Sequence, residues 1–428
     1  MLRRRPGRGD AGGEFTKVRL TKGEESGGFL PLVKNKTEER KTPMIDFSLD
    51  SQQKALLETA RDFAAKEIRP VAVEYDRDGT YPEEICKKAH ELGLMYTNIP
   101  KAYGGTGMSF VEHYLVTEAM NYECCAIAQV IGISHLATGA IMIGGTEEQK
   151  KKFISKMTES YRSACFCLTE PEAGSDAGIM KTTAEKKGDR YIINGLKCYI
   201  TNGVYADLLC LFATVDKSKG TRGICCFAVP RDTPGIRVGR VEDKMGHRAM
   251  NVAELIFEDV KLGKENLIGE EGQGFKLAMM ALDRGRANIT AVSTGIAQKA
   301  LDEAAAYANT RVQFGQPIGN FQGVSFLLAD MNALTMASRA MYLQVGWMLD
   351  NNIRCSTEAA LAKLFASDAA MKVTTDAVQI MAGSGYMRGT VVEKLMRDAK
   401  LTQIFEGTNQ INRMVAGRGI LAKTSTLF

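Results

Sequence analysis

Four histidines and one tryptophan in 428 residues leave little material for a metal centre or an aromatic-rich core. The histidines, His90, His113, His135 and His247, lie far apart, and none of the ten cysteines forms a Cys-x-x-Cys pair. That spacing argues against zinc. The close cysteines, Cys124-Cys125, Cys165-Phe166-Cys167 and Cys225-Cys226, sit in apolar stretches where a thiol acts as a small hydrophobe. They read as reduced core residues of a reducing compartment, with bacterial cytoplasm the expected one. We find no charge-free apolar run of roughly 18 residues or more, and so expect no membrane span. Net charge is scarce as well. Residues 1–43 carry eleven Lys or Arg against six Asp or Glu, and that excess of five is the net charge of the whole chain. From Met44 onward acids and bases balance, so no basic groove for nucleic acid is expected.

Residues 1–43 hold ten glycines or prolines among many charges and show no apolar periodicity, which is the composition of a disordered tail. Two readings of this basic tail stand. Arg3, Arg4, Arg5 and Arg8 point to a transit peptide, which would place the protein in the mitochondrial matrix. Asp10, Glu14, Glu24 and Glu25 tell against it, since transit peptides are poor in acids. The other reading is an extension upstream of a start at Met44.

Beyond the tail, Leu56, Leu57, Ala60, Phe63, Ala64 and Ile68 recur at helical spacing, with Asp50 or Ser51 as cap. Helical segments continue to about residue 157. Between 163 and 269 short β-rich runs take over, at 191–194, 197–201, 208–214, 223–229, 236–241 and 254–257. Asn194-Gly195 and Asn202-Gly203 are hairpin signals, and the block predicts an antiparallel barrel or sandwich. Helices return at 277–308, 321–349, 356–381 and 390–402, enough for a four-helix bundle. The expected fold class is α+β, mainly α, with a helical domain over 44–162, a β-domain over 163–271 and a bundle over 272–428.

Three stretches carry chemistry. Phe166-Cys167-Leu168-Thr169-Glu170-Pro171-Glu172-Ala173-Gly174-Ser175-Asp176 is a bent loop of small and hydroxyl residues. Such a loop can offer N–H groups and hydroxyls to a phosphate or a heteroaromatic edge, though alone it is ordinary loop composition. Tyr199-Ile200-Thr201-Asn202-Gly203 puts a ring and a hydroxyl on one strand face, fit for a planar cofactor or for a buried Tyr–Thr pair. The third stretch is Glu393-Lys394-Leu395-Met396-Arg397-Asp398-Ala399-Lys400 followed by Ile404-Phe405-Glu406-Gly407-Thr408-Asn409-Gln410-Ile411-Asn412-Arg413. Glu406 lies between an apolar run and Gly407, which is expected to break the helix and let a ligand approach. A carboxylate desolvated there has a raised pKa and is a better base.

In this order, on a helix–strand–helix layout, the three stretches resemble the acyl-CoA dehydrogenase family, and the resemblance covers nearly all of residues 45–422. It implies an N-terminal helical domain, a middle β-barrel domain and a C-terminal four-helix bundle, assembled as a homotetramer with FAD as cofactor. Flavin contacts fall on Phe166, Cys167, Leu168, Thr169, Gly174, Ser175, Tyr199, Ile200 and Thr201, with Thr408 and Gln410 completing the site. Arg311, Gln313, Phe314, Gln322, Gln379, Ile380 and Gly383 would reach the FAD of a neighbouring subunit. CoA and thioester contacts fall on Ser175, Asp283, Arg286, Gly407 and Arg418.

The resemblance also implies a reaction. Glu406 would remove the pro-R α-proton of an acyl-CoA thioester while hydride leaves the β-carbon for the flavin, giving the trans-2-enoyl-CoA. The Glu406 N–H and a flavin ribityl hydroxyl would hold the thioester oxygen, and an electron-transfer flavoprotein would take the electrons. Relatives acting on isovaleryl and long-chain substrates carry the base in the segment that reads Leu282-Asp283-Arg284-Gly285-Arg286 here. That segment has Gly285 and no Glu, which groups the chain with the short- and medium-chain, butyryl-CoA dehydrogenase-like enzymes. Tyr199 stands where a Trp is common, Phe321 where a His is, and Ala382 where a Gly is. His247 has no role in this reading. Other readings are an acyl-CoA oxidase, the enoyl-CoA reductase direction, and a non-catalytic assembly protein. The last is opposed by intact Thr169, Arg286 and Glu406.

Overall fold

A computed structural model describes residues 48–422; the tail expected at 1–43 lies outside the described residues. Asp50 starts the first helix, α1 (Ser51–Phe63), with a capping box. Its Oδ1 accepts from the Gln53 N–H at 2.8 Å, and Gln53 Oε1 accepts from the Asp50 N–H at 3.3 Å. Ala60, Phe63, Ala64 and Ile68 are buried, as their spacing predicts. The chain continues through α2 (Ala72–Asp78), α3 (Glu83–Glu91), α4 (Phe110–Glu123), α5 (Cys125–Gly132), α6 (Ser134–Gly144), α7 (Glu147–Gln149) and α8 (Lys156–Thr158).

The reading that no charge-free apolar run reaches about 18 residues fails in this domain. Cys125–Gly144 is an apolar stretch of 20 residues with mean hydropathy 1.7, long and apolar enough to cross a membrane. Gly, Ser, Gln and His scattered through it hide its length in a scan for unbroken apolar runs. In the fold it is two helices, and Ile127, Val130, Ile131, Leu136, Ala137 and Ile141 fill the core of the helical domain.

The strands are β1 (Ala164–Cys167), β2 (Thr183–Lys187), β3 (Arg190–Thr201), β4 (Leu208–Thr214), β5 (Ile224–Pro230), β6 (Ile236–Val241), β7 (Val252–Gly263) and β8 (Leu267–Ile268). They form one sheet in the order β6-β7-β3-β2-β4-β5-β8, with β1 on β4. The two halves of the sheet meet at a single bridge, Thr183 to Thr214. Both feed one core: Tyr191, Ile193, Leu255 and Phe257 from the first half, Leu209, Leu211, Phe227 and Val229 from the second. The other faces of β4 and β5, through Cys210, Phe212 and Cys226, pack against the helical domain. Strands covered on both faces read as unbroken apolar runs, which is why 208–214 and 224–229 stand out in the sequence. All ten cysteines are buried and unpaired, as expected.

Purely antiparallel pairing is not what forms, because β1 runs parallel to β4. Asn194-Gly195 is not a hairpin either. It lies inside β3, where β7 pairs along the whole strand with a register shift at this point. A long partner strand turns a local turn signal into a bulge. The hairpin that exists joins Lys187 to Arg190. Asn202-Gly203 does turn the chain, but toward β4, which neighbours β2 rather than β3.

The last part is helical. α9 (Gly274–Thr310) leads through a small hairpin, β9 (Val312–Gln313) and β10 (Gln316–Pro317), to α10 (Gln322–Asp350), α11 (Ser356–Tyr386), α12 (Val391–Thr402) and α13 (Asn409–Leu421). Ala297, Ala300 and Ala304 of α9 share a core with Ala370 and Ala377 of α11, small residues that let the two helix backbones approach closely. α11 changes direction at Ala382, whose φ of 51° and ψ of −135° are not helical.

Candidate active site

Glu406 sits on the short connection between α12 and α13. The helix ends at Thr402, before Gly407 is reached, and the Ile404 and Phe405 N–H groups close on the Leu401 carbonyl at 2.8 and 3.1 Å. Glu406 and Gly407 then take φ of 55° and 89°, two left-handed residues in a row. Thr408 caps α13 by accepting from the Ile411 N–H at 3.3 Å. This turn points the Glu406 carboxyl at α9, where a Cβ built on Gly285 would lie 2.3 Å from Glu406 Oε2. Any side chain at 285 would collide with the carboxyl. A side chain at 285 would turn the carboxyl out of its present place, so the absence of a Glu there suits the one at 406.

Glu406 Oε2 is buried with no hydrogen-bond partner. Burial pushes the carboxyl up to about 7, against the pull of Arg286 and Lys363. Arg286 is buried on α9, its Nη1 donating to Asp283 Oδ1 at 2.5 Å, while Ser356 Oγ donates to Asp283 Oδ2 at 2.5 Å. The pair is thus a largely buried ion pair beside the Glu406 carboxyl, not an ordinary helix-surface pair. Arg418 is exposed on α13, as is Gln410 in its first turn.

The sequence reading missed Lys363. It lies on α11 with no exposed surface, and its Nζ donates to the Gly407 carbonyl at 2.8 Å and to Asn409 Oδ1 at 2.9 Å. Burial pushes this amine down to about 7, with Glu406 pulling it up. A signal was available. Ala359, Ala360, Ala362, Ala366, Ser367 and Ala370 mark the buried stripe of the helix, and Lys363 stands inside it.

In the β-domain, Tyr199 takes φ 56° near the end of β3 and is 63% exposed, while Ile200 is buried and Thr201 half-buried. The regular alternation expected of this strand is interrupted here, since the pairing with β7 shifts register between Lys197 and Ile200. The loop after β1 is held by a buried ion pair that the reading also missed. Lys197 Nζ donates to Glu170 Oε1 at 2.8 Å and to the Leu168 carbonyl at 3.0 Å, and Glu170 accepts from the Lys181 and Thr182 N–H groups. Gly174 and Ser175 are exposed and Thr169 is half-buried. The side chains of Cys167, Leu168, Ile200 and Ile380 are buried in the core, and Phe166 packs on Phe212. Any contact these five make with a cofactor therefore runs largely through backbone groups.

The second set of expected flavin contacts lies elsewhere. Arg311, Gln313 and Phe314 are exposed on the hairpin beyond α9, with Gln322 exposed at the start of α10. At the rise of an α-helix, Arg311 is roughly 39 Å further along α9 than Gly285. Gln379 and Gly383, also exposed, flank the change of direction at Ala382.

One group of residues far apart in sequence converges. Cys125, His247 and Asp398 place their donor atoms within 4.8 Å of one another. Asp398 is already committed, to Lys394 Nζ at 2.6 Å and the His247 N–H at 2.5 Å, and the His247 ring Nε2 donates to the Asp398 carbonyl at 3.0 Å. A buried ammonium against the carboxylate makes this a joint between domains rather than a metal centre. The His247 ring also meets the Phe405 ring edge-on at 6.1 Å, next to Glu406.

Comparison with known proteins agrees with this architecture. Family models match all three parts: acyl-CoA dehydrogenase N-terminal domain over residues 50–160, middle domain over 165–260 and C-terminal domain over 272–421. An acryloyl-CoA reductase (NADH) of Anaerotignum propionicum is 41% identical over 394 residues, 92% of this chain and all of that protein. A short-chain specific acyl-CoA dehydrogenase of Clostridium acetobutylicum is 39% identical over 373 residues, 87% of this chain and 98% of its own. The structure of butyryl-CoA dehydrogenase from Megasphaera elsdenii superposes with a TM-score of 0.86 at 41% identity, covering 88% of this chain and 100% of that one. The chain belongs to the acyl-CoA dehydrogenase family and is a flavin-dependent oxidoreductase. Within that family it stands close to the short-chain, butyryl-CoA-type dehydrogenases.

Proposed function

We propose that the protein oxidises a short- or medium-chain acyl-CoA to the trans-2-enoyl-CoA, with Glu406 as base and an electron-transfer flavoprotein as electron acceptor. The Glu406 carboxyl carries this reading: its Oε2 is sealed without a partner and burial brings its proton affinity to about 7. A base poised near the working pH is what removal of a weakly acidic C–H proton needs. FAD, when bound, supplies the acceptor for the hydride leaving the β-carbon. The chain offers it the exposed Tyr199 ring; Tyr191, Phe212, Phe227 and Phe257 of the same domain are buried, and Tyr205, half exposed, is stacked on Tyr81. The Glu406 N–H has no acceptor among the described residues and is free to donate to the thioester oxygen, where enolate charge develops. The Arg286 guanidinium beside the carboxyl favours its ionised form.

The reductase direction is a second reading, supported by the similar acryloyl-CoA reductase. It uses the same groups, with Glu406 returning the proton. We also assign Arg311, Gln313, Phe314, Gln322, Gln379 and Gly383 to the FAD of a neighbouring subunit in a homotetramer. Their distance along α9 and α11 from Glu406 supports that assignment.

The test is anaerobic titration of the flavin-loaded protein with butyryl-, hexanoyl-, octanoyl- and palmitoyl-CoA, followed by flavin absorbance. Wild type is expected to bleach with the short or medium thioesters and Glu406→Gln to stay oxidised. A protein that holds FAD but is reduced by none of the four would reject this substrate class, and bleaching of the Gln variant would reject the base.

A further inference from the structure

Glu406 is held at φ 55°, in a region that non-glycine side chains rarely occupy. Such a residue persists only where its surroundings over-determine it. The surroundings here are specific. The Gly407 carbonyl, one residue on, accepts from two side chains that reach it from different helices: Lys363 Nζ of α11 and Asn412 Nδ2 of α13, each at 2.8 Å. Both residues have no exposed surface. Asn409 adds a third tie, since its Oδ1 accepts from Lys363 Nζ at 2.9 Å while its Nδ2 donates to Ser367 Oγ at 2.9 Å and Asp368 Oδ1 at 2.7 Å. The connection bearing the base is thus tied to α11 at both ends, by Gln403 and Asn409 to Asp368, with the Lys363 ammonium as the tie that reaches the Gly407 carbonyl itself.

We propose that Lys363 is a positioning residue for Glu406, holding the left-handed Glu406–Gly407 turn by its bond to the Gly407 carbonyl and setting its amine beside the carboxyl. The proposal rests on the reading of Glu406 as the base.

An amine serving only to pack the helix would be a poor choice. Removing an ammonium from water costs several kcal/mol unless its bonds and a counter-charge restore it. Two of the three N–H groups of Lys363 are placed by the Gly407 carbonyl and by Asn409 at the start of α13, and burial pushes its proton affinity down to about 7 even with Glu406 pulling it up. The groups that act on Glu406 are Arg286 from α9 and Lys363 from α11. Those that act on Lys363 are Glu406, Arg286 and Asp368, and Arg286 is itself paired with Asp283. Lys363 therefore joins the geometry of the turn to the charge of the base. Asn412 has the same carbonyl bond without the charge, which separates the two effects.

The full-length, flavin-loaded protein is made as wild type, Lys363→Met, Lys363→Arg and Asn412→Ala. Flavin reduction by butyryl-CoA is followed by stopped flow from pH 5.5 to 9. In parallel the Glu406 carboxyl is titrated without substrate, by infrared difference against Glu406→Gln in each background. Lys363→Met is expected to slow reduction by at least about tenfold, since a small misplacement of a reacting group is that costly. Its acid limb and its carboxyl titration should both move up by about one pH unit or more, because an opposite charge has left the base. Asn412→Ala should slow reduction with neither titration moved. If Lys363→Met does not fold, Lys363→Arg decides, with the titration kept and the rate lowered. Reduction within twofold of wild type together with an unmoved carboxyl titration, in whichever Lys363 variant is read, overturns the proposal. If no thioester reduces the wild type, the dehydrogenase reading falls and the infrared titration alone decides the coupling of Lys363 to Glu406.

Discussion

Glu406 keeps its proton to about pH 7 in the fold, whereas an ordinary glutamate gives it up near 4.5. Below the lower value both folded and unfolded chains are protonated, and the residue contributes nothing to pH dependence. Between the two values the unfolded chain releases a proton that the folded chain retains, so stability falls as pH rises. Above 7 the loss is complete. Glu406→Gln should therefore melt with wild type at pH 4.5 and above it at pH 8. The gain should be about 3 kcal/mol at most, since each pH unit between the two values is worth roughly 1.4 kcal/mol and the attraction of Arg286 and Lys363 is already contained in the higher value. Calorimetry at the two pH values checks it, and an equal difference at both would contradict the burial account. At this scale the sequence was informative where a motif marks the residue. Glu406 was legible as a candidate base and Gly285 as a matching gap, and the fold brings the two positions together. Lys363 was not, because no motif includes it, and its meaning depends on a turn 44 residues downstream.

Elements were legible where their hydrophobic period is regular and misread where a distant partner overrules local chemistry. The helix at 356–381 ends where the backbone leaves helical geometry at Ala382. The Asn194-Gly195 hairpin failed because β7 pairs past it. α12 shows what a motif conceals. Lys394 and Asp398 read as part of a signature, yet they are a buried pair four residues apart at 2.6 Å, and Asp398 also receives the His247 N–H from the β6–β7 connection. Against the upward push of burial, Lys394 and His247 hold the Asp398 carboxyl well below the usual range. Asp398→Ala leaves a buried ammonium unpaired and frees the loop, so it should cost about 3–5 kcal/mol of stability. Denaturant unfolding measures this, and a loss under about 1 kcal/mol would mean that water replaces the carboxylate.

The whole molecule leaves large apolar groups in the open around the far end of the bundle. Phe314 is 94% exposed and Tyr386 75%, with Met387, Phe326 and Met336 each more than half exposed. They belong to the hairpin after α9, the end of α11 and the face of α10, which also carry Arg311, Gln313, Gln322 and Gln379. We expect sedimentation to give a homotetramer that releases FAD when diluted to subunits, since a cofactor bound between chains follows mass action. Phe314→Asp should shift the distribution toward smaller, flavin-poor species. A flavin-replete monomer would contradict the assignment. Three-part architecture was legible from the change of period along the chain, whereas the pairing of strands and the closure of the carboxyl pocket needed contacts between distant segments.

The 2.3 Å between Glu406 Oε2 and a Cβ built on Gly285 also bears on descent. A second acid on α9 at this position could be added only with the Glu406 carboxyl turned aside. A lineage that shifted its acid from the α12–α13 connection to α9 would therefore pass through a chain in which the older carboxyl had already left its present place.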